Sequence, residues 1–375
     1  MGLYSGKPDY AWHGNDPRRR NDRRKPPSRL RRGTSDPSRL ILILFLLVCA
    51  PLSAAADKLR VAVFDTELAA RGPGLMLRDI RRDSPKSRSG AALIAKIKPD
   101  IILVLGIDYD HDLQGLAALQ QAIAEHGHTL PVRFALPTNR GDQSGIDLNG
   151  DGWSTGAEDA FGFGHFFGQG SMAILSRWPV SRDGVKDFSH LLWKDLPGAR
   201  LPFVDGRPFP SEAAQSVQRL SSGGHWIVPI ETPAGDLQML TLDATPPVFD
   251  GEEDRNGLRN ADELRLWQHV LNGGFGGITN EQFILLGNAN QDIQKGEGQK
   301  GALRALLNHP RLQDPHPVSR LRGDITADWP DPTPGDMRVD YILPSSAFTV
   351  LDKGVAWPEG EDTSRHALIW VDLAM

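Results

Sequence analysis

The chain has 375 residues, 42 Lys and Arg against 47 Asp and Glu, and one cysteine. That length fits one large α/β domain or two small ones, and a lone cysteine excludes a disulfide framework. Residues 1–56 hold eleven basic and four acidic side chains, a net +7 that leaves the remainder at −12, so bulk nucleic-acid binding, which needs basic surface, is disfavoured.

Residues 1–39 are basic and Pro-containing, with no apolar period, and are predicted to be disordered. The apolar run that follows, Leu40–Ala50, is too short to span a bilayer comfortably. It leads to Ala54-Ala55-Ala56, a small-residue cleavage pattern. Residues 40–56 therefore read as a signal peptide, or else as an uncleaved signal anchor. Cys49 lies in that segment, and the Val48 before it argues against lipid attachment. The expectation is an exported, periplasmic or secreted protein whose membrane attachment, if any, runs through residues 40–56. Residues 57–375 form the expected folded domain.

"KLRVAVFDTE" (58–67) alternates as a strand. "GAALIAKIKPD" (90–100) reads as a helix, and "IILVLGIDYD" (101–110) as a buried strand breaking into acids. "LQGLAALQQAIAEHG" (113–127) is an amphipathic helix stopped at Gly127. A short strand over 131–137 precedes a Gly- and Asp-rich loop, 138–170. "SMAILSRWPV" (171–180) returns to strand, and 181–224 is irregular. Strands 225–232 and 237–244 look like a hairpin, 258–272 is helical, and 282–289, 338–345 and 367–373 are strands. Hairpins mixed with helices argue for a layered α/β fold with mixed sheets.

Polar residues crowd the strand ends. "ILLGNANQD" (284–292) puts Asn288, Asn290 and Asp292 after an apolar run, where α/β proteins place their chemistry. Two of the three are amides, which neither accept a proton nor hold a metal as a carboxylate does.

Taken in order, "VAVFDTE", "LGIDYDHD", "GSMAILSR", "TLDATPPVFDGEEDRNGLRN", "LLGNANQD", "RVDYILPS" and "SRHALIWVDL" resemble the endonuclease/exonuclease/phosphatase superfamily, particularly its exported bacterial branch, over residues 58–373. The resemblance implies a two-sheet mixed β-sandwich flanked by helices. It also implies hydrolysis of phosphate esters with Mg²⁺ or a similar cation held by carboxylates. Carried over position by position, the family's first-strand Asn is Asp65 here and its metal-binding Glu is Gly106. One catalytic His is Asp243. The Asp of its G-D-x-N motif is Asn288, with the following Asn kept as Asn290. The Asp before its last His is Arg365, while His366 and Asp340 are retained.

These replacements predict an eroded site, with catalysis weak or absent. Mg²⁺ or Mn²⁺ enters only if the cleft is still active as a nuclease, phosphodiesterase or phosphatase. A further reading is an unusual esterase using His366, Asp243 and Arg365. Arg365 is expected to fill the vacated cation position and to pair with Asp65 or Asp243. The expected partner is an unidentified phosphate-containing or other anionic ligand. The register at Gly106 would fail if Asp108 or Asp110 stood in the cleft.

"DLNGDGWSTGAE" (147–158) fits the calcium-loop spacing through Asp147, Asn149, Asp151, Trp153 and Glu158. It predicts a solitary structural Ca²⁺ without flanking helices, and a calcium-stabilised envelope binding module is a third functional class. In "EEDRNGLRNADE" (252–263), Arg255, Asn256 and Arg259 either meet an anion or belong to a charged helix cap with Asn260 at its start. The aromatic stretch Phe161–Phe167 with His165 is expected to pack a loop onto the domain. Trp193, Trp226, Trp267 and Trp357 are expected in or beside the core.

Overall fold

The computed structural model describes residues 58–375. The expected basic tract, the signal segment and Cys49 lie outside the described residues.

Two mixed sheets lie face to face. The first contains β1 (Lys58–Asp65), β2 (Ile101–Ile107), β3 (Val132–Phe134), β4 (Ser171–Ser176), β12 (Val350–Ala356) and β13 (Leu368–Ala374). Its order is β12-β13-β1-β2-β4-β3. The second contains β5 (Lys186–Asp187), β8 (His225–Thr232), β9 (Gly235–Asp243), β10 (Phe283–Asn288) and β11 (Asp340–Pro344), in the order β11-β10-β9-β8-β5. A small hairpin, β6 (Phe203–Val204) with β7 (Arg207–Pro208), stands apart.

Alternation along the strands explains the layering. Val61, Val63, Leu103, Trp226, Met239 and Ile284 are among the residues that fill the core between the sheets. The opposite face of the first sheet presents Ala62, Phe64, Ile102 and Val104 to α1 (Leu75–Arg81), α2 (Pro85–Ile97) and α3 (Gln114–Glu125). The outer face of the second sheet takes Leu264, Trp267 and Leu271 of α5 (Arg255–Leu271) and Leu303 and Leu306 of α6 (Lys300–Leu307). A shorter helix, α4 (Glu212–Val217), precedes β8. The expected two-sheet sandwich flanked by helices is the fold.

The helix expected from residue 90 begins five residues earlier. Ser84 caps it by accepting from the Ser87 amide, and Pro85 occupies its first turn, where no N–H is needed. The helix over 114–125 is capped by Asp110, whose carboxylate accepts from the Gln114 and Gly115 amides. Asn260 is a correction. It sits in the interior of α5, fully buried, rather than at its start. Its amide donates to the Thr245 and Ala289 carbonyls at 2.8 Å each, tying the ends of β9 and β10 to the helix. Trp193, Trp226 and Trp267 are fully buried, while Trp357 packs at the margin of the inter-sheet core.

Candidate active site

Strand register gathers the polar residues at one end of the sandwich. Asn288, the last residue of β10, pairs with Asp243, the last of β9, on one side and with Asp340, the first of β11, on the other. Across the inter-sheet core, β1 ends at Asp65. The segment entering β13 adds Arg365 and His366, and Ser364 links it to β1 by donating to the Asp65 carbonyl at 2.6 Å. These ends line a cleft of about 980 Å³, walled also by Phe249, Trp329 and Pro330.

His366 and Asp340 form the most deeply set pair. Nδ1 of His366 lies 2.9 Å from Asp340 Oδ2, and both residues are buried. Burial alone would lower the His366 pKa, but the charges of Asp340, Asp65 and Glu67 outweigh it and raise it to about 9. His366 is therefore an imidazolium at neutral pH. The Trp329 ring stands edge-on to it, with centroids 5.4 Å apart. Burial raises the Asp65 pKa, Asp340 and Glu67 add to the effect, and the His366 cation opposes it.

The other acids lining the cleft are Asp243, Glu67, Asp250, Asp292 and Glu297, and two of them, Asp243 and Glu67, are each taken by an arginine. Arg140 Nη2 meets Asp243 Oδ2 at 2.6 Å, with the carboxylate side chain only 5 % exposed. Arg365 binds Glu67 by its Nε at 2.9 Å, by its backbone amide at 2.8 Å and by Nη2. Burial pushes the Glu67 carboxyl up, yet Arg365 and His366 outweigh it and hold it below the usual carboxylate range. The expected pairing of Arg365 with Asp65 or Asp243 is thus corrected. Its partner is Glu67, and Asp243 belongs to Arg140. The reason is backbone geometry: Glu67 adopts φ +47°, and its amide donates to Asp65 Oδ1 at 3.0 Å, turning the chain so that both acids enter the cleft.

Gly106 explains why no acid stands at its position. It has φ +64°, and a Cβ there would run into Asp65 Oδ1 and lie 2.8 Å from the Glu67 amide nitrogen. Asp65 and the Glu67 turn occupy the space a longer side chain would need. Asp108 accepts from the Ala70 and Gly170 amides at 3.1 Å each and Asp110 caps α3, so neither lines the cleft.

Of the residues singled out in the sequence, Asp65, Asp243, Asn288, Asn290, Asp292, Arg365 and His366 line this cleft, with Asp340 beneath His366. The amides serve structure. Asn288 Oδ1 accepts from the Asn290 amide at 2.6 Å, and Asn290 Nδ2 donates to the Ala244 carbonyl at 2.7 Å. Glu67 and Arg140 escaped sequence reasoning. Glu67 sits in the same "VAVFDTE" as Asp65. Arg140 comes from the 138–170 loop, where nothing local marks it.

A profile of the Endonuclease/Exonuclease/phosphatase family matches residues 71–366. The chain belongs to that family. Among solved structures, the endonuclease/exonuclease/phosphatase from Beutenbergia cavernae is similar, with 16 % identity and a TM-score of 0.51, covering 85 % of this chain and 72 % of that one. The endonuclease/exonuclease/phosphatase family protein from Leptotrichia buccalis aligns with 18 % identity and a TM-score of 0.50, over 84 % of this chain and 100 % of that one. One from Bacteroides thetaiotaomicron shows 15 % identity and a TM-score of 0.50, over 84 % and 97 %. No curated protein matches the chain.

The divalent cation implied by the family resemblance does not fit the residues present. Mg²⁺ takes anionic oxygens and waters in a near-octahedral shell. Here Asp243 and Glu67 are bound to guanidinium groups, Asp340 to imidazolium, and Gly106 offers no ligand. Among the described residues no three His, Cys, Asp or Glu side chains are placed to hold a metal ion.

The 147–158 loop lies away from the strand ends. Asp147 accepts from the Gly150 and Gly152 amides at 2.6 and 2.8 Å, and Asp151 from Trp153 at 2.8 Å. Asn149 spans the turn by donating to Asp151 Oδ2 at 3.1 Å. Glu158 lines a separate chamber beside Arg255.

Proposed function

We propose that this protein keeps the family's phosphoesterase-like framework while its cleft binds an anionic, phosphate-containing ligand without metal-dependent hydrolysis. The observation that carries this reading is the capture of Asp243 by Arg140 and of Glu67 by Arg365. Each acid is thereby taken from any cation in the cleft, and each guanidinium repels one. Arg365 and the His366 imidazolium instead present positive charge to an incoming oxyanion. Export through the segment before residue 57 belongs to the same proposal.

The test is hydrolysis of bis(p-nitrophenyl) phosphate by the purified protein with Mg²⁺, Mn²⁺, Ca²⁺ or a chelator. The expected result is no metal-dependent turnover above the blank. Chelator-sensitive turnover that disappears in His366→Asn would reinstate an active phosphodiesterase. That second reading is favoured by the Asp340–His366 pair, which retains the geometry of a proton-transfer couple.

Structural calcium at residues 147–158 is proposed separately. A tight turn in which Asp147 and Asp151 accept backbone amides supports this reading, while Glu158 must swing from the neighbouring chamber to close the shell. Calorimetric titration of the metal-stripped protein should give a Ca²⁺ isotherm that Asp147→Ala removes. A flat trace for the unsubstituted protein ends the idea.

A further inference from the structure

Beside the main cleft lies a second chamber of about 510 Å³. Arg140, Pro246, Val248 and Phe249 border both, so the two spaces share a wall. Its polar lining is dominated by three guanidiniums, Arg140, Arg255 and Arg259, against a single carboxylate, Glu158.

Arg140 is paired with Asp243, but the other two charges have no ion pair at short range. Among the described residues, neither Arg255 nor Arg259 has a carboxylate within ion-pair distance, although Arg259 is only 8 % exposed. Arg259 donates to the carbonyls of Leu220 and Phe161, and Arg255 to that of Leu148. These satisfy N–H groups without cancelling charge. The acids nearby, Glu263 for Arg259 and Glu253, Asp250, Asp159 and Glu158 for Arg255, attract them only from beyond ion-pair distance. Glu263 accepts from the Ser222 and Thr245 amides, and Asp159 from those of Leu148 and Gly156. Arg140 adds a buried Nε that has no hydrogen-bond partner. Burying cations without a counterion is costly, and planar guanidiniums are matched to tetrahedral or carboxylate oxyanions. The same chamber has an apolar side, Val248 and Phe249, and Phe249 is 89 % exposed on a left-handed turn.

The geometry points to a second anion site: this chamber takes a phosphate-type oxyanion carrying an apolar or aromatic group, with the oxyanion on Arg255 and Arg259 and the apolar group against Phe249. The inference does not depend on how the main cleft behaves, and the variants below separate the two.

The test is calorimetric titration of the full chain with inorganic phosphate and with phenyl phosphate. Phenyl phosphate should bind about tenfold more tightly than phosphate, the advantage falling away in Phe249→Ala. Arg255→Gln should weaken both ligands about tenfold or more, while Arg304→Gln, exposed on α6 and outside both spaces, should leave them within about twofold. Labelling of the unsubstituted protein with phenylglyoxal, located by peptide mass spectrometry, gives a readout that needs no variant to fold. Phenyl phosphate should protect Arg255. The proposal is overturned by absence of binding at millimolar ligand, by absence of protection at Arg255, or by loss of binding in Arg365→Gln with Arg255→Gln unchanged.

Discussion

Asp340→Asn should destabilise the fold by about 3–5 kcal/mol at pH 7, the cost of a buried imidazolium that must lose its partner or give up its proton. Asp340 is 1 % exposed and His366 4 %, so water cannot replace the lost carboxylate. The pH dependence should change sign as well. In the unsubstituted protein the His366 pKa is raised to about 9 from an ordinary 6.5. The folded state therefore holds a proton that the unfolded chain releases. That contribution, roughly 3 kcal/mol, is fully present below pH 6.5 and is lost as pH rises through 9. Without the Asp340 charge, the effect of burial comes to the fore and lowers the His366 pKa. The variant should then gain stability on moving from pH 5 to 8, where the parent has begun to lose it. Urea denaturation across that range, with the imidazole followed by NMR, measures both effects. A variant whose His366 still titrates near 9 would show that Asp340 is not the source of the shift.

Gly106→Glu should cost about 3 kcal/mol or more, and it should not create a metal site. The obstacle is the first carbon added. Gly106 is left-handed, which costs a residue with a side chain about 1–2 kcal/mol. Its Cβ would also press on the Glu67 amide nitrogen and Cα, at 2.8 and 3.1 Å. Those are backbone atoms and cannot rotate away. Gly106→Ala should consequently be nearly as damaging as Gly106→Glu, within about 1 kcal/mol. Thermal or urea unfolding of both variants, with Mn²⁺ calorimetry on the glutamate variant, decides the matter. A Gly106→Glu protein with the parent's unfolding midpoint and a Mn²⁺ isotherm would mean that the Asp65–Glu67 turn yields readily.

The layers were legible because most of their strands alternate or run fully apolar between clear breaks, as "VAVF" and "IILVL" do, whereas β12, "VLDKGVA", is partly exposed and charged and was missed. The strand-end residues were legible because each borders such a run: Asp65, Asp243 and Asn288 close one, and Asp340 and His366 stand at the start of one. What escaped depends on tertiary placement. Glu67 follows its strand by two residues, and only the left-handed turn sends it into the cleft. Arg140 reaches Asp243 across 103 positions of chain. Asn260 looked like a helix start because Asn favours caps, but two buried carbonyls at the ends of β9 and β10 require its amide inside the helix. Local preference lost to hydrogen-bond demand from distant backbone.

The Arg140–Asp243 pair also bears on which sequences lie within one mutation of this one. Changing Arg140 alone strands a carboxylate that is 5 % exposed, and changing Asp243 alone strands a guanidinium whose Nε already lacks a partner. Each single step is uphill, while replacing both together removes the conflict. A lineage carrying this pair therefore sits behind a two-step barrier. It can drift freely on its surface, but it frees the acid at the end of β9 only at a cost in stability, and it sheds the pair without that cost only by changing both residues at once.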